Sequence, residues 1–233
     1  MKDFFSYSAQ NYTILSLKEL DSKNIVPFQN AVINSNRKLI TSPSPLGGRA
    51  EIVIKNIPEL GMVVFKNYFR GGFLRFFNKR HYLKFKQGVR PVNEILFLKK
   101  LQELNIPVPD PVAAYYSGNC IYKGGIVTKY INSPYTLAQY CLMDKKKGEA
   151  IFREKFLPVF NKIISNRVFH PDFHPGNVIV SNDEDIFIID FDKACFYEGL
   201  EFYLHEQLVN RWNRAVKKYK LPSFLSMDPK KHY

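Results

Sequence analysis

The sequence predicts an α+β chain in two lobes, a small antiparallel sheet followed by a mostly helical half. Three observations carry that expectation. Strand-like runs dominate the first part, where Ile52-Val53-Ile54 and Met62 to Tyr68 flank a turn at Pro58 to Gly61. Helical patterns dominate the second, over Thr136 to Met143, Glu149 to Asn166 and Leu200 to Tyr219. Between the last two lies Val168 to Ala194, with apolar runs Val178-Ile179-Val180 and Ile186 to Ile189 around the polar turn Ser181 to Asp185, which reads as a hairpin of two buried strands. The boundary falls between residues 1–131 and 132–233, with Asn132-Ser133-Pro134 as the hinge.

Residues 1–40 carry scattered aromatics and no strong period, so their structure is poorly specified. Residues 41–51, TSPSPLGGRAE, form a Pro/Ser/Gly turn, in which Gly47 and Gly48 would let backbone amides approach phosphates. A Gly-Gly between strands is more often only a turn, and its place ahead of a Lys-bearing strand is what raises its value. Alternation along that strand puts Met62, Val64 and Lys66 on one face. Pro91 opens a helix whose stripe is Val92, Ile95, Leu98, Leu101 and Leu104. Glu94 lies near that stripe and calls for a cation, for which Lys66 is the natural candidate; a solvated first-turn glutamate fits the sequence equally well. After IPVPDPV, two short strands are expected around Cys120 to Tyr122 and Gly125 to Ile131.

Composition narrows the partners. With 34 basic and 21 acidic residues the chain carries a net charge of +13, which attracts polyanions without choosing among them. The stretch 70–90 has basic residues, including Arg75, Lys79, Arg80 and Lys84, interleaved with Phe73, Phe76, Phe77, Tyr82 and Phe85, and no acid. That composition suits an anionic membrane or glycan. It would also serve single-stranded nucleic acid, or a solvated helix face whose aromatics pack on the core. No apolar run approaches the ~18 residues of a bilayer-spanning helix, and the N-terminus lacks the layout of a signal peptide. Cys120, Cys141 and Cys195 show no metal-ligand spacing and read as buried small hydrophobes in a reducing compartment.

The chemistry concentrates in the hairpin. Asp172 and Asn177 precede its first strand and Asp190 ends its second, so two acids and an amide fold back toward one edge. Oxygen ligands converging in this way suit Mg²⁺. His170, Asp172, Asn177 four residues further on, and Asp190 before Phe191 follow the spacing of a kinase catalytic loop and its metal-binding Asp-Phe.

The ordered set FKNYFRGG, NEILFLKKLQELNIPVPDPVAAY, HPDFHPGNVIV and IFIIDFDKA resembles the lipopolysaccharide kinase family over nearly the whole chain. The resemblance implies a bilobal protein-kinase-like fold, with ATP and Mg²⁺ as cofactors. It implies phosphate transfer to the 3-deoxy-D-manno-octulosonic acid (Kdo) sugar of a lipid A precursor, at the cytoplasmic face of the inner membrane of Gram-negative bacteria. Lys66 would hold the α- and β-phosphates and Glu94 would orient it. Asn177 and Asp190 would bind Mg²⁺, and Asp172 would accept the proton of the sugar hydroxyl. His170 would brace the loop, while His174 has no assigned role and Asp192 and Lys193 sit beside the metal ligand. Arg75, Lys79, Arg80 and Lys84 would meet lipid headgroups, and no nucleic acid is expected. HPDFHPGN alone is shared with aminoglycoside and choline kinases, whose usual acidic acceptor cleft the basic charge argues against. Heptose in place of Kdo is a further alternative. A membrane-binding pseudokinase is disfavoured because Lys66, Asp172, Asn177 and Asp190 are all present.

Overall fold

The computed structural model describes residues 4–35, 52–68, 82–83, 88–118, 121–133 and 135–230. The chain divides into two units, Met1–Lys99 with Asp110–Tyr130, and Lys100–Pro109 with Ile131–Tyr233. Residues 100–109 pack with the second unit through the backbone: Ile188 N–H donates to Pro107 O at 2.9 Å, and Lys162 Nζ donates to Asn105 O at 3.3 Å. The mixed α+β class is the one the sequence predicts.

The first unit is an antiparallel sheet with two helices. Its elements are β1 (Phe5–Ala9), β2 (Tyr12–Ser16), α1 (Ser22–Ser35), β3 (Ile52–Ile57), β4 (Gly61–Asn67), β5 (Tyr82–Leu83), α2 (Arg90–Glu103), β6 (Pro111–Ser117) and β7 (Ile121–Lys129), α2 running on into the second unit at its C-terminal end. The strands run in the order β1-β2-β6-β7-β4-β3, with β5 paired to β7. Two sequence expectations need correction. Residues 5–35 form a hairpin and a helix. The usual hairpin signal is missing there, because Gln10 itself takes the left-handed φ of 54° in place of a glycine. Pro27 inside α1 hides the helix in the same way. The second correction concerns residues 111–129. One nine-residue strand, β7, replaces the two short ones, and β6 precedes it within the proline-rich stretch. Four consecutive residues of β6, Val112 to Tyr115, are buried, so no alternation betrays the strand.

Phe28 of α1 lies 5.7 Å from Phe65 of β4, which lies 6.2 Å from Tyr115 of β6. Ile14, Val53, Val63 and Val127 fill the same core. A buried polar chain locks β4 to its neighbours. The Tyr115 hydroxyl donates to Asn67 Oδ1 at 2.8 Å, and Asn67 Nδ2 donates to Ser35 O at 3.0 Å. Burial pushes the Tyr115 phenol well above its usual range, so it stays a neutral donor. Strand β4 pairs with β7 in the register Lys66↔Ile126 and Asn67↔Gly125.

The second unit holds β8 (Tyr135–Thr136), α3 (Leu137–Met143), α4 (Lys145–Ile151), a π-turn over Phe152–Phe156, α5 (Leu157–Ser165), β9 (Val168–Phe169), β10 (Val178–Val180), β11 (Ile186–Ile188), β12 (Cys195–Phe196) and α6 (Glu201–Lys218). Thr136 opens α3 with a capping box: Gln139 N–H donates to Thr136 Oγ1 at 3.3 Å, and Thr136 N–H donates to Gln139 Oε1 at 2.8 Å. Stacked rings form the core. Phe156 lies 4.3 Å from Trp212, and Phe173 lies 5.4 Å from Trp212 and 5.8 Å from Phe160. Trp212 Nε1–H is satisfied by Leu225 O at 2.7 Å. Cys141 is buried and its thiol is pushed up to about 12 by that burial, whereas Cys195 is exposed, contrary to the sequence reading. Cys120 lies outside the described residues. Among the described residues no helix is long and apolar enough to cross a membrane.

Gly125 permits the close approach of β7 to the Lys66 strand, since a Cβ there would stand 2.2 Å from Lys66 O and 2.6 Å from the Tyr115 hydroxyl. Gly125→Ala is expected to destabilise the protein by ~1–3 kcal/mol, the usual cost of overpacking. Chemical denaturation measures it, and an unchanged midpoint would refute the crowding argument.

Candidate active site

In the first unit the structure brings Lys66 and Glu94 together. Lys66 Nζ lies 3.4 Å from Glu94 Oε1, with side chains 19% and 4% exposed. Ile95 and Leu98 of the same helix are also buried. A carboxylate so desolvated needs charge and hydrogen-bond partners, and it has both. The Tyr68 hydroxyl donates to its other oxygen, Oε2. The solvated first-turn alternative for Glu94 is therefore ruled out by its burial. Strand alternation explains the pairing, because Lys66 and Tyr68 are two residues apart and share a face. Sequence reasoning took Lys66 and missed Tyr68, although the same alternation offered both. The Tyr68 ring lies 5.5 Å from the Arg90 guanidinium and 5.8 Å from Lys66 Nζ, a cation on each.

In the second unit β10 and β11 pair in the register Val178↔Ile188, Ile179↔Phe187 and Val180↔Ile186. The ladder extends one step further, with Ile189 N–H donating to Asn177 O at 2.9 Å. Asp190 is therefore the residue after Asn177's own backbone partner. Its φ of 67° is left-handed, a conformation that costs energy for a residue with a Cβ and is held here by the surrounding structure. Asn177 Nδ2 donates to Asp172 O at 2.8 Å. That bond occupies the amide nitrogen, so a cation would meet the amide oxygen. An amide oxygen and a carboxylate are donor types that would fit Mg²⁺. Among the described residues no group of three or more His, Cys, Asp or Glu is placed to hold a metal.

His170 is fully buried and joins the two arms of this region. Its Nδ1 accepts the Asp172 N–H at 3.1 Å, so its proton sits on Nε2, which donates to Ile189 O at 3.0 Å. Phe173 and Phe191 pack edge-on to the ring at 5.8 Å and 4.8 Å. Burial lowers the His170 pKa below its ordinary 6.5 and keeps the ring neutral. Asp172 is the contrast, with a side chain 67% exposed. Its pKa is lowered, first by the hydrogen bond from His174, against a smaller desolvation effect. His174 Nε2 stands 3.4 Å from Asp172 Oδ2, a contact the sequence reading did not find. Arg211 of α6 also reaches this loop. One guanidinium nitrogen donates to Pro171 O at 2.5 Å, and the group lies 5.6 Å from the Phe169 ring. Lys193 is exposed and has φ 64°, and Asp192 is half-buried. Gly47, Gly48, Arg75, Lys79, Arg80 and Lys84 lie outside the described residues.

A model of the lipopolysaccharide kinase (Kdo/WaaP) family matches residues 48–197, a span that contains Lys66, Glu94 and the whole hairpin. The chain belongs to this family. It is similar to the 3-deoxy-D-manno-octulosonic acid kinase of Vibrio vulnificus, 27% identical over 201 residues that cover 85% of this chain and 82% of that one. The enzyme of the same name from Stenotrophomonas maltophilia is 26% identical over 150 residues, 64% of this chain and 59% of that one. Serine/threonine-protein kinase rio2 of Dictyostelium discoideum is 23% identical over 199 residues, 82% of this chain and 34% of that one, in keeping with a protein-kinase-like fold in two lobes. This lipopolysaccharide kinase is thus a phosphotransferase that acts on a sugar hydroxyl, and kinase membership implies ATP as the donor.

The buried neutral His170 makes a pH prediction. Above about 6.5 the ring is neutral in both folded and unfolded chains and adds no pH dependence. Below that value the unfolded chain takes up a proton that the folded ring resists, so stability falls as pH drops from 6.5. His170→Gln is expected to lower stability at pH 7 and to flatten its fall between pH 7 and 5. Denaturant midpoints at both pH values measure the slope, and an identical slope in the variant would refute the assignment.

Proposed function

We propose that this lipopolysaccharide kinase transfers the γ-phosphate of ATP to a hydroxyl of the Kdo sugar on a lipid A precursor. The observation that carries this reading is the hairpin, which presents an exposed Asp172 beside Asn177 and Asp190 in kinase order. Similarity to enzymes named for Kdo phosphorylation supports the choice of acceptor. Phosphoryl transfer relies mainly on positioning and charge neutralisation, and the side chains divide along those lines. Lys66, oriented by Glu94, contacts the α- and β-phosphates. Asn177 and Asp190 would hold Mg²⁺, which when bound offsets the charge of the bridging phosphate oxygens. Asp172 orients the acceptor hydroxyl and takes its proton as the oxygen bonds to the γ-phosphorus and ADP leaves. Gly47 and Gly48 lie outside the described residues, and in this reading they would let backbone amides approach the phosphates.

The acceptor is an acidic glycolipid, which gives the net charge of +13 a purpose. In this reading Arg75, Lys79, Arg80 and Lys84 meet the lipid headgroups, and the enzyme works peripherally at the cytoplasmic face of the inner membrane. Reversing two of these charges is expected to weaken binding to anionic vesicles and to leave ATP affinity unchanged. Vesicle binding that survives the reversal would discard this surface.

The reaction itself is tested by incubating the protein with ATP, Mg²⁺ and Kdo-bearing lipid A in detergent, with mass spectrometry of the lipid. Wild type is expected to add one phosphate. Asp172→Asn is expected to lose at least ~100-fold in rate, the scale of a general base. Wild type that binds ATP and leaves the lipid unphosphorylated would sink the proposed acceptor.

A further inference from the structure

We propose that His174 is a positioning residue for Asp172, its imidazole holding the carboxylate in one orientation through a neutral Nε2–H donor. The inference rests on the reading of Asp172 as the proton acceptor and adds the residue that aims it. His174 caps the short 3₁₀ turn Pro175–Asn177, where its Nδ1 accepts the Gly176 N–H at 3.0 Å. A neutral imidazole has one protonated nitrogen, so with Nδ1 accepting, the proton is on Nε2. That nitrogen lies 3.4 Å from Asp172 Oδ2. The distance is long for a hydrogen bond, as such contacts commonly are before substrate tightens them. The ring thus spans the turn backbone and the carboxylate without needing a charge.

The constraint on the ring comes from its own turn. Pro175 and Gly176 are buried, and the His174 side chain is 19% exposed against 67% for Asp172. An exposed aspartate left alone samples several rotamers. A donor fixed to backbone selects one of them. The same turn also sets Asn177, whose N–H donates to His174 O at 2.9 Å and whose Nδ2 donates to Asp172 O at 2.8 Å. One three-residue turn therefore orients both the proton acceptor and a metal ligand.

The two ring nitrogens allow the cap and the tether to be separated. His174→Asn keeps a side-chain oxygen that can cap Gly176 N–H, a role asparagine fills well, but is too short to reach Asp172. Its thermal midpoint is expected to match wild type, with kcat lower on the order of ten-fold and both KM values within about two-fold. His174→Ala, which loses the cap as well, is expected to unfold at lower temperature. Adding His174→Asn to Asp172→Asn is expected to change the residual rate by less than about two-fold, since the two residues act as a pair. Wild-type kcat in His174→Asn, or full additivity in the double variant, would overturn the tether. Wild type inactive toward every acceptor would instead count against Asp172 as the base, and the long-range ¹H–¹⁵N imidazole spectrum would then judge the tether. An Nε2–H tautomer whose Nε2 resonance moves in Asp172→Asn supports it, and an Nδ1–H tautomer or an unmoved resonance overturns it.

Discussion

The His170 imidazole is the constraint on which the second unit's site depends. One nitrogen holds the backbone of Asp172 and the other holds the backbone just before Asp190, so the two strands' loops cannot drift apart while the ring stays neutral. Burial enforces that neutrality, because a charged imidazole enclosed by Phe173 and Phe191 would be poorly solvated. The histidine earns its position by having exactly the two complementary groups that the backbone leaves over, one acceptor and one donor. No aliphatic or carboxylate side chain offers that pair.

Around this clamp, neighbouring residues face opposite environments. His170 and Phe173 point into the aromatic core that includes Phe160 and Trp212, whereas Asp172 between them is exposed. Anchoring both flanks in closely packed rings holds the loop backbone in place while its acidic side chain stays reachable. Arg211 adds a third hold from α6 through the Pro171 carbonyl. The carboxylate is presented by a rigid frame, which is the condition under which positioning contributes to phosphoryl transfer.

The sequence made this frame legible where spacing and alternation are local. His170, Asp172, Asn177 and Asp190 are fixed by a hairpin of three-residue strands, and the apolar runs announce it. Lys66 and Glu94 were legible for a related reason, one by strand alternation and the other by its place beside a helical stripe. The parts that escaped depend on contacts distant in sequence. Strand β6 is buried on both faces and shows no period, and the β1–β2 turn uses Gln10 where a glycine would have signalled it. Arg211 reaches Pro171 from 40 residues away, and nothing in the helix pattern of α6 distinguishes it from the neighbouring basic residues. His174 is the intermediate case. It sits in a legible motif, yet which of its nitrogens serves the turn is decided only by the backbone geometry.

The carboxylates of the two units differ by environment. Glu94 is enclosed, with Lys66 on one oxygen and the Tyr68 hydroxyl on the other. Removing either partner would leave a buried charge with less compensation, so this carboxylate is suited to fixing a lysine and unsuited to exchanging protons with a substrate. Asp172 is exposed, and the hydrogen bond from His174 leads the causes that hold its pKa low. Asp190 sits at a strained strand end, aimed by a left-handed backbone that the hairpin imposes. The same functional group thus meets three environments, enclosed at Glu94, exposed at Asp172 and left-handed in backbone at Asp190. What separates Glu94 from Asp172 is burial, with side chains 4% and 67% exposed.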